Sequence, residues 1–258
     1  ALMILEIFLS FIVLAAVLSF VFFNTDRLAL DLGFETEDKW VVWIDSKSEL
    51  DSADFANQQK TLMRELNEME HINHVAFSNN VAPFRGSTWT SSDDAGGFLI
   101  RTRYVYADQF LGEALNIKMI DGRWFNEDDR ISNYKSMIVN RRFKEEYFPD
   151  KPIVDSIIQF EGETKIVGVM EDYRYNGLFE EHVNTSFFYK PFTDNMMSTI
   201  YLSMDPDTPL SYEEDIYERI ASITKKNTFV IQNLEKQKQR SSRRTWIPII
   251  ALLSISGF

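Results

Sequence analysis

The sequence has 258 residues, 45% of them apolar and 26% charged, with a net charge of −12 and no cysteine. That is the composition of a chain that folds, without disulfides. Its acidity excludes nucleic acid and anionic membrane surfaces as main partners.

Apolar residues crowd the start. Leu2 to Phe23, "LMILEIFLSFIVLAAVLSFVFF", is apolar at every position except Glu6, Ser10 and Ser19. As a helix this run rises about 33 Å, matching a hydrocarbon core of ~30 Å. It lacks the basic leader, short apolar core and small-residue cleavage site of a signal peptide. A transmembrane helix is therefore expected over 1–23. Glu6 is its one ionisable group. It lies near the start of the run, where it snorkels to the interface; a polar contact with a neighbouring helix is the alternative.

Residues 24–245 hold all 27 Lys and Arg and 38 of the 39 acids, and read as a water-exposed domain. "DKWVVWID" gives a buried strand at Trp40 to Ile44. "DSADFANQQKTLMRELNEME" gives a helix with Phe55, Leu62, Leu66 and Met69 on one face, capped by Ser52. "INHVAFSN" closes this β-α-β unit. The plan returns near the other end. "STIYLSM" is a strand, and "PLSYEEDIYERIASITKKN" is a helix with Tyr212, Ile216, Ile220 and Ile223 on one face. Ser211 and Glu214 have the spacing of a capping box. "TFVIQNL" is the final strand. Two such halves sharing one sheet make a ferredoxin-like α+β lobe, expected over 24–80 and 195–235.

Between them, 81–194 reads as an inserted strand-rich lobe. "GFLIRTRYVY", "SIIQFEGETKIVGVMEDYRYN" and "NTSFFYKPF" are strands, with a turn at "EGE". "ADQFLGEALN" and "NRRFKEEYF" are short helices. The polar, Gly-containing stretch from Arg85 to Gly97 suits a mobile contact loop. Residues 236–245, within "LEKQKQRSSRRTW", are polar throughout and read either as a helical stalk or as a flexible linker. "WIPIIALLSISGF", 246–258, is too short to span a membrane by itself. It reads as the truncated start of a second transmembrane helix, with Pro248 near the start, and the alternative is a buried core helix. The flanking charges conflict over sidedness. "NTDRLALD" has one Arg, whereas "KQKQRSSRR" is basic, and long domains translocate largely regardless of such bias.

Motifs for catalysis are missing. There is no phosphate-cradling G-x-x-x-x-G-K-[ST], no G-x-G-x-x-G and no G-x-S-x-G. His71 and His74 are spaced like the first half of a metal site but lack a third ligand, and read as solvated turn residues. "NEDDR" and "DPDTP" lack the oxygen spacing of a Ca²⁺ loop and read as polar turns. "RTRYVYADQF" has too few basic residues for a nucleic-acid face. No enzyme, cofactor or metal is expected.

Three segments follow one pattern in one order: "VAPFRGSTW", then "YVYADQFLGEALNIKMIDGRWFNEDD", then "SMIVNRRFKEEYFPDKPIVDSIIQFEGETKIVGVMEDYRYNGL". The set resembles the MacB-type periplasmic core domain of FtsX-like ABC transporter permeases. The matching positions are Tyr106, Asp108 and Phe110; Leu115, Ile117, Gly122, Arg123, Phe125 and Asp128; Ile138, Val139 and Asn140; Tyr147 and Phe148; and Val167, Gly168, Val169 and Asp172. One departure is Asp155 in "KPIVDS", where the family places a glycine, so a tight turn there is in question. Each position also has a scaffold reading. Gly122 takes φ > 0, Arg123 pairs with the acids after it, Trp124 and Phe125 anchor the loop, and Gly168 permits close backbone approach.

The resemblance implies a domain on the periplasmic side of the bacterial inner membrane. It implies an ABC ATPase subunit as partner, a homo- or heterodimer with another permease subunit, and a periplasmic partner or cargo. It implies conformational work outside the membrane driven by ATP hydrolysis inside. A membrane-anchored sensor domain of a signalling receptor is the alternative. Three more hydrophobic spans after Phe258 would mark the permease, and a helical signalling linker there would mark the sensor.

Overall fold

The computed structural model describes residues 2–28, 30–44, 50–79, 82–85, 88–94, 99–177, 180, 183–225, 228–243 and 247. The second apolar run, apart from Ile247, therefore lies outside the described residues. Helix α1 (Leu2–Leu28) leads into an extended tether, 30–38. The first β-α-β unit is β1 (Lys39–Ile44), α2 (Ser52–Asn67) and β2 (Ile72–Ser78). The insertion holds β3 (Trp89–Asp94), β4 (Leu99–Ala107), α3 (Leu111–Ala114), β5 (Met119–Gly122) and α4 (Asp128–Ile131). It continues with β6 (Lys135–Asn140), α5 (Arg141–Tyr147), β7 (Ile157–Gln159), β8 (Glu163–Met170) and β9 (Thr185–Tyr189). The second unit is β10 (Thr199–Met204), α6 (Tyr212–Thr224) and β11 (Phe229–Asn233). A final helix, α7, covers 234–243.

The first lobe has strand order β11-β1-β10-β2, every pair antiparallel. Each unit's two strands are thus separated by a strand of the other, the ferredoxin-like interleaving expected. Helices α2 and α6 cover one face. Trp40, Val42, Phe77, Ile200 and Leu202 pack there against Leu62, Leu66, Ile216 and Ile220. The opposite face sends Val41, Trp43, Ala76 and Tyr201 into a second core shared with the tether and the insertion. Burial on both faces explains why β1 reads as an unbroken apolar run rather than an alternation.

The insertion extends the same sheet as β4-β9-β6-β8-β5, with β3 on β4 and β7 on β8. It is mixed: β4–β9 and β6–β8 are parallel, the rest antiparallel. Met137, Val139, Phe143, Phe160 and Val169 form its own core. The two parts of the sheet join through one residue pair, Ser78 with Ala107.

Four local expectations need correction. Helix α2 is capped by Asp51, not Ser52. Asp51 is extended, so its carboxylate folds back onto the N–H groups of Ala53 and Asp54 at 2.9 and 2.8 Å, and it also meets the positive end of the helix. The Ser211–Glu214 box does not form. Ser211 is already helical, and Pro209, Leu210 and Ser211 carbonyls accept from the amides of residues 212, 213 and 214. Within the stretch expected as a contact loop, Trp89–Asp94 is strand β3, zipped to β4 over six residue pairs, while 86–87 and 95–97 lie outside the described residues. The turn at Asp155 survives the loss of glycine. Asp155 takes φ +67° itself, which Asp tolerates better than most residues, and its carboxylate holds Lys165 at 2.8 Å.

Candidate functional site at the lobe junction and tether

The family-motif residues gather at three points of the insertion. The first is the junction of the sheet's two parts. Asp108 is fully buried just past the Ser78–Ala107 pair. Its Oδ2 accepts from Phe77 N at 2.8 Å, and its Oδ1 from Phe110 N and Leu111 N at 3.0 Å each. The carboxylate does the work of the strand partner that β2 has lost. Burial pushes its pKa up to about 8, against the pull of those three donors. Trp124 Nε1 donates to Asp108 O at 3.2 Å. Its ring lies on Gly112, where a Cβ would stand 2.5 Å away. Phe110 packs 6.4 Å from Phe192.

The second point is the β5–β8 edge. Gly122 pairs with Gly168. Gly122 has φ +68°, and a Cβ on it would meet Val167 O at 2.4 Å; one on Gly168 would meet Arg123 O at 2.4 Å. Only glycines allow this approach. Arg123 turns to Asp129, with Nη1 at 2.7 Å from Oδ2 and Nη2 at 3.1 Å from Oδ1. The acid expected here, Asp128, stays exposed; Asp129, one residue on, is the one whose side chain is buried. Asp129 also accepts from Ser136 Oγ at 2.6 Å and Asn126 N at 2.8 Å. Burial alone would raise its pKa, but the donors from Arg123, Ser136 and Asn126 outweigh that and hold it below the usual range. Phe125 is buried between Trp124 at 5.2 Å and Tyr189 at 5.7 Å.

The third point ties the ends of the parallel strands β6 and β8. Asn140 Nδ2 donates to Asp172 Oδ1 at 2.9 Å and to Val183 O at 3.1 Å. Asn140 Oδ1 accepts from Phe143 N, capping α5, and from Thr185 N, opening β9. Phe148 stacks on Phe143 at 6.3 Å, and Val169 is fully buried.

The tether was invisible as an element in the sequence. Arg174 N donates to Leu32 O at 2.9 Å, Glu35 N to Leu115 O at 2.8 Å and Lys118 N to Gly33 O at 3.3 Å. Its far end binds the ferredoxin-like lobe, through Met204 N to Asp38 O at 2.8 Å. Asp31 pairs with Lys118, and Phe34 packs 4.6 Å from Tyr173. Gly33 has φ +82°, and a Cβ there would stand 2.4 Å from Asp172 O. Glycine between two buried apolar residues, "LGF", was the one available signal. Helix α7 lies beside the tether across a cleft of about 810 Å³. Asn233 Oδ1 caps it by accepting from Lys236 N at 3.0 Å. Thr36 Oγ1 donates to Glu235 Oε2 at 2.6 Å, and Ser241 Oγ to Asn176 O at 3.3 Å. The stretch expected as either stalk or linker is thus helical as far as residue 243.

Elsewhere, His71 lies 3.5 Å from Asp205 and His74 lies 3.8 Å from Glu113. No three His, Asp or Glu side chains converge as a metal cage among the described residues. Glu6 is exposed on α1, the one described helix long and apolar enough to cross a membrane.

These features define an α+β domain that follows an apolar helix through a tether. The sequence matches the MacB-like periplasmic core domain over residues 1–218 of 258, and the chain belongs to that family. It is a periplasmic or extracellular domain of the ABC transporter permease class. The fold resembles the periplasmic region of MacB from Actinobacillus actinomycetemcomitans, with TM-score 0.56 and 15% identity over 83% of this chain and 97% of that one. It also resembles the extracellular domain of the noncanonic ABC-type transporter YknZ from Gram-positive bacteria, with TM-score 0.51 and 13% identity over 76% of this chain and 100% of that one. At these identities the likeness speaks for the fold. No curated protein matches the sequence.

Proposed function

We propose that the chain is part of an ABC transporter permease subunit of the inner membrane that transmits movement rather than catalyses a reaction. A partner ATPase hydrolyses ATP in the cytoplasm, and the periplasmic domain performs conformational work on cargo. The observation that supports this most is the shared footing of the tether and α7. The tether binds both parts of the sheet, while α7 binds the tether through Glu235 and the insertion through Ser241. A shift of α1 along its axis therefore loads the whole sheet. We divide the chain accordingly: a membrane helix at 1–23, a ferredoxin-like lobe at 24–80 and 195–235, an inserted lobe at 81–194, a stalk at 236–245 and a second membrane helix from 246. Asp108, Gly122, Arg123, Asn140, Gly168 and Asp172 act as scaffold within it, and the subunit pairs with a second permease subunit.

The test locks the footing. These 258 residues have no cysteine, so once any cysteines elsewhere in the permease and ATPase are replaced, Thr36→Cys with Glu235→Cys places a single reactive pair. In the full permease with its ATPase, in membrane vesicles, a reducible bifunctional thiol linker should slow ATP turnover severalfold, and reduction should restore it. Unchanged turnover in fully linked protein would sink the reading.

A further inference from the structure

The face that the ferredoxin-like sheet turns towards the insertion carries polar atoms that the mechanical reading leaves unused. On the sheet, Trp43 is in register with Thr199, and Thr199 with Ser78. Trp43 Nε1 and the Thr199 hydroxyl are buried without a hydrogen-bond partner. On the insertion, the Arg103 side chain is only 8% exposed. Its Nη2 holds Glu180 at 2.5 Å, but its Nε and Nη1 have no partner. The guanidinium sits 5.4 Å over the Tyr175 ring, and the Tyr175 hydroxyl is buried and unpartnered too. The two surfaces meet, because Trp43, Tyr175 and Tyr201 share one core. Tyr175 also lies within electrostatic reach of Arg103, Arg85 and Glu180. Arg85 is exposed, and its guanidinium lies 4.6 Å over the Trp43 ring, so the cluster reaches the surface there.

Orphaned buried donors are rare in native proteins, and each costs roughly 1–3 kcal/mol. Here five occur on the two surfaces that share this core: two N–H positions of Arg103, the Trp43 indole and the hydroxyls of Tyr175 and Thr199. All can donate. Two orphaned acceptors lie beside them: Asn176, whose Nδ2 binds the same Glu180 oxygen as Arg103 at 2.8 Å, and Asn184, whose backbone oxygen accepts from Arg103 N. Around Tyr175 the two guanidinium groups of Arg103 and Arg85 and the one carboxylate of Glu180 leave a net positive charge. Water bridges such atoms but leaves that charge unbalanced, whereas an oxyanion brings acceptors and the missing negative charge.

We propose that this cluster binds a small oxyanion, a carboxylate or a phosphate, between the two parts of the sheet, with Arg103, Trp43 and Tyr175 donating and Arg85 at the mouth. The site stands independently of the transport reading. The test uses the full-length permease in nanodiscs, titrated with inorganic phosphate or with acetate against chloride at fixed ionic strength, with thermal unfolding as the readout. Tyr175→Phe removes an orphaned hydroxyl and Arg85→Gln changes an exposed residue, so neither should lower stability in chloride. Wild type should gain stability saturably with at least one anion. Each variant should weaken that anion's apparent affinity about tenfold, the scale of one hydrogen bond to a charged group. Phosphate acting alone assigns a phosphoryl ligand; acetate acting alone assigns a carboxylate such as a peptide terminus. Failure of both anions to exceed chloride, or a gain that both variants keep in full, overturns the proposal.

Discussion

Two acids in this domain have opposite titration signs, and each gives a measurable outcome. Asp129 is held below the usual carboxylate range, so its folded form releases the proton more readily than the unfolded chain. Its contribution is present above the unfolded carboxylate value and is lost as pH falls through the folded value. Arg123→Gln should therefore lower stability at neutral pH and flatten the acid limb below about pH 4, read as denaturant midpoint against pH. An unchanged limb would mean that Arg123 does not stabilise the acid. Asp108 is raised to about 8, so its sign is reversed. Stability is full below the unfolded value near 3.9 and is lost as pH rises towards 8. Asp108→Asn should remove that slope. It should also cost about 2 kcal/mol at pH 5, because an amide nitrogen cannot accept from the backbone N–H groups that face it. Equal stability of Asp108→Asn and wild type at pH 5, where the acid is protonated, would contradict the accepting role of this carboxyl group at the junction.

Among the elements, the ferredoxin-like lobe was legible because its signals are strong and local. Unbroken apolar strands and two helices with one apolar face leave few alternatives. The insertion was legible in composition but not in detail. Strand β3 is "WTSSDD", a sequence with no apolar alternation; it is held as a strand by backbone pairing with β4. The sequence marks Gly122 for φ > 0 and Gly168 for close backbone approach, but it does not name the two as partners, because the contact joins residues 46 apart in sequence. Gly112 was missed, since the Trp124 ring that requires it arrives from another loop. The tether was missed because it has no periodicity: its nine residues are placed by hydrogen bonds to segments far along the chain. Gly33 tests it. Gly33→Ala faces both φ +82° and a carbonyl 2.4 Å from the new Cβ, at a cost of about 2 kcal/mol or more. The tether should lift locally. Hydrogen exchange should then accelerate at Lys118 and Arg174, whose amides bind the tether, and not at Ile200 or Leu202 in the other lobe. Uniform protection across all four would show that the tether does not depend on Gly33.

At the scale of the molecule, charge and apolarity are sharply segregated. Nearly every described side chain of α1 between Met3 and Phe20 is exposed, although those residues are as apolar as any core helix. Such a surface suits a hydrocarbon surrounding rather than water. The acidic remainder needs water, and the family places it in the periplasm or outside the cell. The basic stretch before the second apolar run argues for the cytoplasm under the positive-inside bias, but that bias is weak for a domain of this length. The conflict can be decided directly. Ile131 is 78% exposed on the inserted lobe, and the chain has no cysteine of its own. In cells expressing the full permease with Ile131→Cys and every other cysteine replaced, a membrane-impermeant maleimide admitted only to the periplasm should label the protein to completion without lysis. Labelling that begins only after the inner membrane is opened would put the sheet on the ATP side, and the coupling through the tether would then have no outward work to do.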